Sequence, residues 1–145
     1  MRVQQEFLAT CWEDAQPLLG QHWEEALGGE GFCPDLSLYE VLEQVNALRI
    51  FTLRDEDELA GYVIFVINPS THQAGRMLAL CDGIYIRKKS RSVAAVRRLM
   101  AFSEACLRDD GVHEIRAHSN TGSSLGFLFQ RFGYNLTETV HAKVL

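Results

Sequence analysis

The stretch IYIRKKSRSVAAVRRLM, Ile84 to Met100, places six basic residues and no acidic one between Arg87 and Arg98, in a chain of 145 residues with a net charge of −5. Upstream of it, Arg76 to Ile86 reads as a long strand. Downstream, Val93, Val96, Leu99, Met100 and the run from Ser103 to Leu107 supply an inward stripe that predicts a helix over residues 92–107. A strand, a basic turn and a helix opening on small residues together describe an anion site. The first N–H groups of a helix lack partners, its dipole is positive at that end, and neighbouring Arg and Lys add charge. Ser92, Ala94 and Ala95 let a ligand approach the backbone, less openly than glycine would. No G-x-x-x-x-G-K-S/T run is present, which excludes a P-loop, and no G-x-G-x-x-G, which excludes a dinucleotide fingerprint. On these residues alone the turn is either an anion site or a solvated surface.

Outward from this stretch the pattern alternates. Val3 to Leu8 is a strand candidate, and Cys11 to Leu27 an amphipathic helix that Pro17 could interrupt. Gly28, Gly29 and Gly31 break it, and Pro34 with Asp35 opens a second helix through Leu48. Arg49 to Leu53 and Leu59 to Ile67 form a hairpin about the acidic turn Asp55 to Glu58. After the basic turn and its helix, His113 to His118 is a short strand. Ser123 to Phe132 is a helix closed by Gly133, and Leu136 to Leu145 alternates as a terminal strand. The expected class is α/β (α+β): one domain over residues 1–145, a mixed central sheet flanked by helices.

Composition is that of an ordinary globular protein, 47% hydrophobic and 23% charged. No apolar run has the ~20 residues that span a bilayer, and the N-terminus lacks a signal-peptide core, so the expectation is a cytoplasmic protein with no membrane partner. Cys11, Cys33, Cys81 and Cys106 form no C-x-x-C pair, and no metal is expected. Residues 1–60 hold 13 acidic and 3 basic side chains, whereas residues 61–145 hold 6 and 11. The two halves therefore suit a cation and an anion respectively. Nucleic acid is not expected, because the basic patch is one short turn in an acidic chain.

The element order, and the combination of this stretch with FLFQRFGY (Phe127–Tyr134) about 30 residues later, resembles the GNAT family of acyl-CoA N-acyltransferases. In that family a strand ending in an aliphatic residue leads to R/Q-x-x-G-x-G/A and a helix with an apolar pair. Arg91 takes the first place, Ala94 and Val96 the glycine places, and Leu99 with Met100 the pair, while Gly133 and Tyr134 match a terminal Gly-Phe. Both loop glycines are absent. Phe129 stands where members often carry a Tyr that protonates the departing thiolate, and Asn120 precedes the last helix about two residues early.

The resemblance implies acetyl-CoA or a related acyl-CoA as donor. Its pyrophosphate would lie on the loop Arg91, Ser92, Val93, Ala94, Ala95 and Val96, and its pantetheine arm along Ile84, Tyr85 and Ile86, with Asn120 and Phe129 nearby. Transfer to an amine needs a neutral nucleophile and donors to the developing oxyanion. Asp82 is the first candidate to handle the ammonium, or it is a solvent-facing residue at a bulge beside Gly83. His118 is a second candidate base or an ordinary polar residue. Tyr85, Ser123 and Ser124 are candidate proton donors. The resemblance also places Glu24, Glu25, Glu30 and Asp35 on an acidic rim that would attract a cationic acceptor, either a small molecule such as a polyamine or aminoglycoside, or a lysine on a protein. Two further expectations stay open: a homodimer, and a relative that has lost turnover and acts as a binding or interaction module.

Overall fold

The computed structural model describes residues 1–145. In chain order the elements are β1 (Arg2–Glu6), α1 (Leu8–Leu27), α2 (Leu36–Gln44), β2 (Leu48–Asp55), β3 (Glu58–Pro69), β4 (Met77–Ile86), a 3-10 turn (Lys88–Ser90), α3 (Val93–Asp109), β5 (Glu114–Ala117) and α4 (Leu125–Arg131). The strands form one mixed sheet in the order β1-β2-β3-β4-β5. Its first three junctions are antiparallel, and β5 joins β4 in parallel after the α3 crossover.

Helices cover both faces, so the central strands read as near-continuous apolar runs rather than clean alternations. On one face Leu48, Ile50, Tyr62, Ile64 and Tyr85 pack with Leu8, Cys11 and Leu18 of α1. On the other, Phe51, Leu53, Val63 and Phe65 pack with Leu99, Met100 and Leu107 of α3 and Phe129 of α4. Each such buried side chain contributes roughly 1.5–3 kcal/mol relative to exposure. Arg54 ties β2 to both neighbours, donating from Nε to Glu6 of β1 (2.7 Å) and from Nη1 to Asp14 of α1 (2.9 Å). Burial alone would raise the Glu6 carboxyl, but hydrogen bonds from Arg54, Thr52 and Gln4 override it and hold the group at about 2. Gly61 is where β3 and β4 pass closest: a Cβ there would lie 2.7 Å from the Tyr85 carbonyl oxygen and 2.8 Å from Ile86 Cγ1.

Three sequence expectations change. Helix α1 begins at Leu8 and runs unbroken through Pro17. Pro17 lies on the exposed face, and Leu8, Cys11 and Leu18 hold the two halves to the sheet. Helix α2 stops at Gln44 instead of Leu48. Asn46 adopts φ 60° there, its amide returns to Glu43 O (3.0 Å) and the Ala47 amide to Leu42 O (2.8 Å), a Schellman closure that frees Leu48 for β2. Finally, residues 136–145 form no strand. No backbone hydrogen bond joins residues 135–145 to any part of the chain, so the alternating pattern is present without a ladder.

Candidate functional site

The site begins with a mismatch between β4 and its two neighbours. Against β3, Ile64 pairs with Gly83 and Phe65 with Cys81, which leaves Asp82 as the extra residue of a β-bulge. Against β5, pairing ends at Cys81 and Ala117, while β4 runs on through Ile86. Beyond Cys81 the two strands part and form a fork. Along its β4 edge, Ile84 and Ile86 turn into the α3–α4 core and Tyr85 into the α1 core. Asp82 is thus the solvent-facing residue at a bulge beside Gly83 that the sequence offered as one of its two readings, and it stands next to the free β4 edge.

On the α1 side of the fork several polar side chains converge. Asp82 accepts a hydrogen bond from the Tyr39 hydroxyl (3.2 Å). Burial, aided by Asp82, pushes the Tyr39 hydroxyl up to about 12. His22, on the last turns of α1, stacks on Tyr85 with ring centroids 5.2 Å apart, and its Nδ1 shares a hydrogen bond with the Tyr62 hydroxyl (2.8 Å). Its Cε1 lies 3.4 Å from where a Cβ on Gly83 would stand, so the imidazole covers the bulge. Burial lowers the His22 pKa, against the opposing pull of Glu25, and keeps the ring neutral near pH 7. Tyr85 donates its hydroxyl to Glu25 at 2.6 Å; burial and this bond push the phenol up to about 12.

The basic turn is largely neutralised by the chain itself. Arg87 is buried, paired with Glu58 and Asp55, and donates to Ser90 Oγ. Lys89 lies 3.5 Å from Glu58 and Lys88 3.9 Å from Glu25. Arg91 donates to the Ile86 carbonyl (2.9 Å) and to Glu25 (3.0 Å), with its guanidinium 5.3 Å from the centroid of the Tyr85 ring. At the start of α3, Ser92 Oγ accepts from the Ala95 amide (3.1 Å) and the Ser92 carbonyl from the Val96 amide. Ala95 and Val96 are buried in the core, whereas Val93 and Ala94 are exposed and their amides have no partner in the chain. Two open N–H groups at the tip of a 17-residue helix, beside a strand edge that has no partner strand, are donors open to an anion.

The remaining sequence candidates fall elsewhere. His118 is exposed one residue past β5, makes no hydrogen bond and does not join the cluster around His22. Asn120 is exposed and its carbonyl accepts from the Ser123 amide, while Ser123 Oγ accepts from the Leu125 amide. Phe129 is core, 5.3 Å from the Tyr134 ring. Two members of the acidic rim are engaged locally, Glu25 with Arg91 and Asp35 as the cap of α2; Glu24 and Glu30 are exposed. His22 was not singled out in the sequence. Its signal was a histidine one turn before the acidic end of an amphipathic helix, and only the fold brings it over Gly83.

No protein-family model and no curated protein matches the chain. Solved structures do. A ribosomal-protein-alanine N-acetyltransferase from Brucella melitensis biovar Abortus 2308 is 17% identical, with 100% of both chains covered and a TM-score of 0.78. An aminoglycoside acetyltransferase from an uncultured soil metagenomic sample, in complex with sisomicin, is 13% identical over 99% of this chain and 95% of its own, TM-score 0.79. An aminoglycoside acetyltransferase in complex with the bisubstrate analogue CoA-S-monomethyl-acetylneamine is 18% identical over 100% and 99%, TM-score 0.77. With its bulged fourth strand, its parallel fifth strand and the fork between them, this chain has the fold of the GNAT N-acetyltransferases.

Proposed function

We propose that this chain is an N-acyltransferase of the GNAT family that takes an acyl group from acetyl-CoA or a related acyl-CoA and delivers it to an amine. The observation that carries this reading is the fork: β4 continues past its last pairing with β5 at Cys81, and the open helix amides of Val93 and Ala94 stand at the far end of that free edge. When bound, the thioester would supply the activated acyl group. Val93 and Ala94 would hold its diphosphate, with exposed Arg97 and Arg98 adding charge, and the β4 backbone from Ile84 to Ile86 would pair with the pantetheine arm.

The amine must lose a proton before it attacks. Asp82 is exposed at the bulge and suits the ammonium form, holding it or relaying its proton through water. Tyr85 is a poor acid for the departing thiolate, since its proton is directed at Glu25 and its pKa is raised to about 12. The thiolate is therefore left to water. The acceptor is cationic, drawn by the acidic surface that Glu24 and Glu30 leave open, and the neighbours are named for acceptors as different as an aminoglycoside and a ribosomal-protein alanine.

The test is release of free thiol from acetyl-CoA in the presence of aminoglycosides, polyamines and alanine-terminated peptides, with the Asp82→Asn variant alongside. Turnover with one amine class, lowered in Asp82→Asn at unchanged donor affinity, is the expected result. An unaffected rate in that variant would remove Asp82 from the account.

A further inference from the structure

The bulge changes which side chains share a face of β4. Cys81 and Ile84 pack into the α3 core and Tyr85 into the α1 core. Asp82 and Gly83, although consecutive, both face α1 and α2: Asp82 meets the Tyr39 hydroxyl, and a Cβ on Gly83 would point at the His22 ring. A carboxylate and an imidazole therefore stand side by side over one residue of bare backbone. Tyr39 bonds Oδ2 of Asp82 and leaves Oδ1 open.

The imidazole is held in one tautomer. Tyr62 is 2% exposed, and its hydroxyl has a single partner, His22 Nδ1 at 2.8 Å. If the ring donated, the phenol proton would be buried with no acceptor, so the phenol donates and Nδ1 accepts. Burial raises the Tyr62 pKa and lowers that of His22, so the phenol keeps its proton and the ring is neutral near pH 7. The one ring proton is then on Nε2. That nitrogen has no partner in the chain and reaches solvent, since the only buried side-chain polar atom without a partner is Arg76 Nε. The Tyr62 bond and the stack on Tyr85, 5.2 Å between centroids, fix the direction of this donor.

Resting on the reading that an ammonium enters at Asp82, we infer that His22 determines acceptor specificity by donating from Nε2 to an oxygen on the carbon next to the amine-bearing one. The acceptor class is then a vicinal amino alcohol or an α-amino amide, not a plain alkylamine or polyamine. Consecutive strand positions lie about 3.3 Å apart, the span of an N–C–C–O unit, so an ammonium on Asp82 brings that oxygen to the imidazole. A methylene in its place would strip water from Nε2–H and return no hydrogen bond, which is how a polar pocket rejects an analogue lacking a hydroxyl.

Two amines of one shape test this, 1-amino-2-propanol and isobutylamine, which differ by a hydroxyl in place of a methyl. Nitrogen NMR of the His22 ring should show Nε2 protonated in the free protein, and its signal should move with the amino alcohol and not with isobutylamine. A ring protonated at Nδ1, equal shifts with both amines, or no shift with either overturns the inference. In thiol release from acetyl-CoA, the kcat/KM ratio of amino alcohol to isobutylamine should fall at least about tenfold in His22→Asn and stay within about threefold in His22→Gln. Asn keeps an acceptor for Tyr62 but has no donor at the place of Nε2, whereas Gln keeps that donor. Comparing each variant with the wild-type ratio cancels the unequal basicity of the two amines. A ratio that Asn leaves unchanged also overturns the inference. Absence of thiol release with both amines, while the Nε2 signal still answers to the amino alcohol alone, overturns the transferase reading and leaves this site standing.

Discussion

Tyr85 donates a hydrogen bond from its hydroxyl to Glu25 across 2.6 Å, joining the fourth strand to the first helix at the mouth of the fork. The same carboxylate holds Arg91 at 3.0 Å and lies 3.9 Å from Lys88, so an internal anion occupies two cations of the turn that the sequence marks for an external one. Hydrogen bonding from Tyr85, together with Arg91 and Lys88, keeps Glu25 below the usual carboxylate range, and it is ionised at neutral pH.

Glu25→Gln should therefore strengthen binding of acetyl-CoA. Releasing two partly solvated cations is worth about two- to fivefold in affinity at low salt, and less as salt screens them. Calorimetric titration at two ionic strengths checks this; weaker binding by the variant would show that Glu25 orients Arg91 for the ligand.

Gly61→Ala should lower stability by about 1–3 kcal/mol, because the new methyl meets the Tyr85 carbonyl oxygen at 2.7 Å and backbone cannot give way cheaply. Gly83→Ala meets side chains alone, the His22 ring at 3.4 Å and Tyr62 Cε2 at 3.9 Å. It should cost far less in thermal denaturation while disturbing the ring that covers the bulge.

Ser92→Ala removes the acceptor for the Ala95 amide and should destabilise the start of α3 by about 1 kcal/mol. Urea denaturation measures it. The loss should be larger than that from truncating exposed Arg97, which caps nothing.

Stability should fall on acidification in two windows. His22 has a lowered pKa in the fold, so the unfolded chain binds a proton more readily, and stability declines as pH drops below about 6.5. Glu6 is held at about 2 against 4.5, so its contribution is complete above 4.5 and is lost as pH falls from there towards 2. Unfolding followed across pH should show the first slope vanish in His22→Gln and the second vanish in Glu6→Gln, the latter on a lower baseline because Arg54 is left buried without its main partner.

Much of this was legible in residues because local signals and tertiary contacts agree. Ser92 caps α3, Gly133 closes the last helix, and the acidic turn at Asp55 to Glu58 joins two strands whose apolar runs fill both faces. The bulge was legible too, in Gly83 beside Asp82. What could not be read depends on distance in sequence. His22 reaches Gly83 across 61 positions, and the basic turn loses its charge to Glu25, Asp55 and Glu58, acids that composition counts but does not place. The alternating tail was a strand in pattern alone, since a strand exists only where another offers its edge.

The most direct measurement is titration of the purified chain with acetyl-CoA, with ADP as the control that shares its diphosphate but lacks the arm. The account predicts micromolar binding of acetyl-CoA and at least about tenfold weaker binding of ADP, because the free β4 edge adds to the helix amides. Equal affinity for the two would contradict the fork as a binding edge, and no binding of either would contradict the donor site altogether.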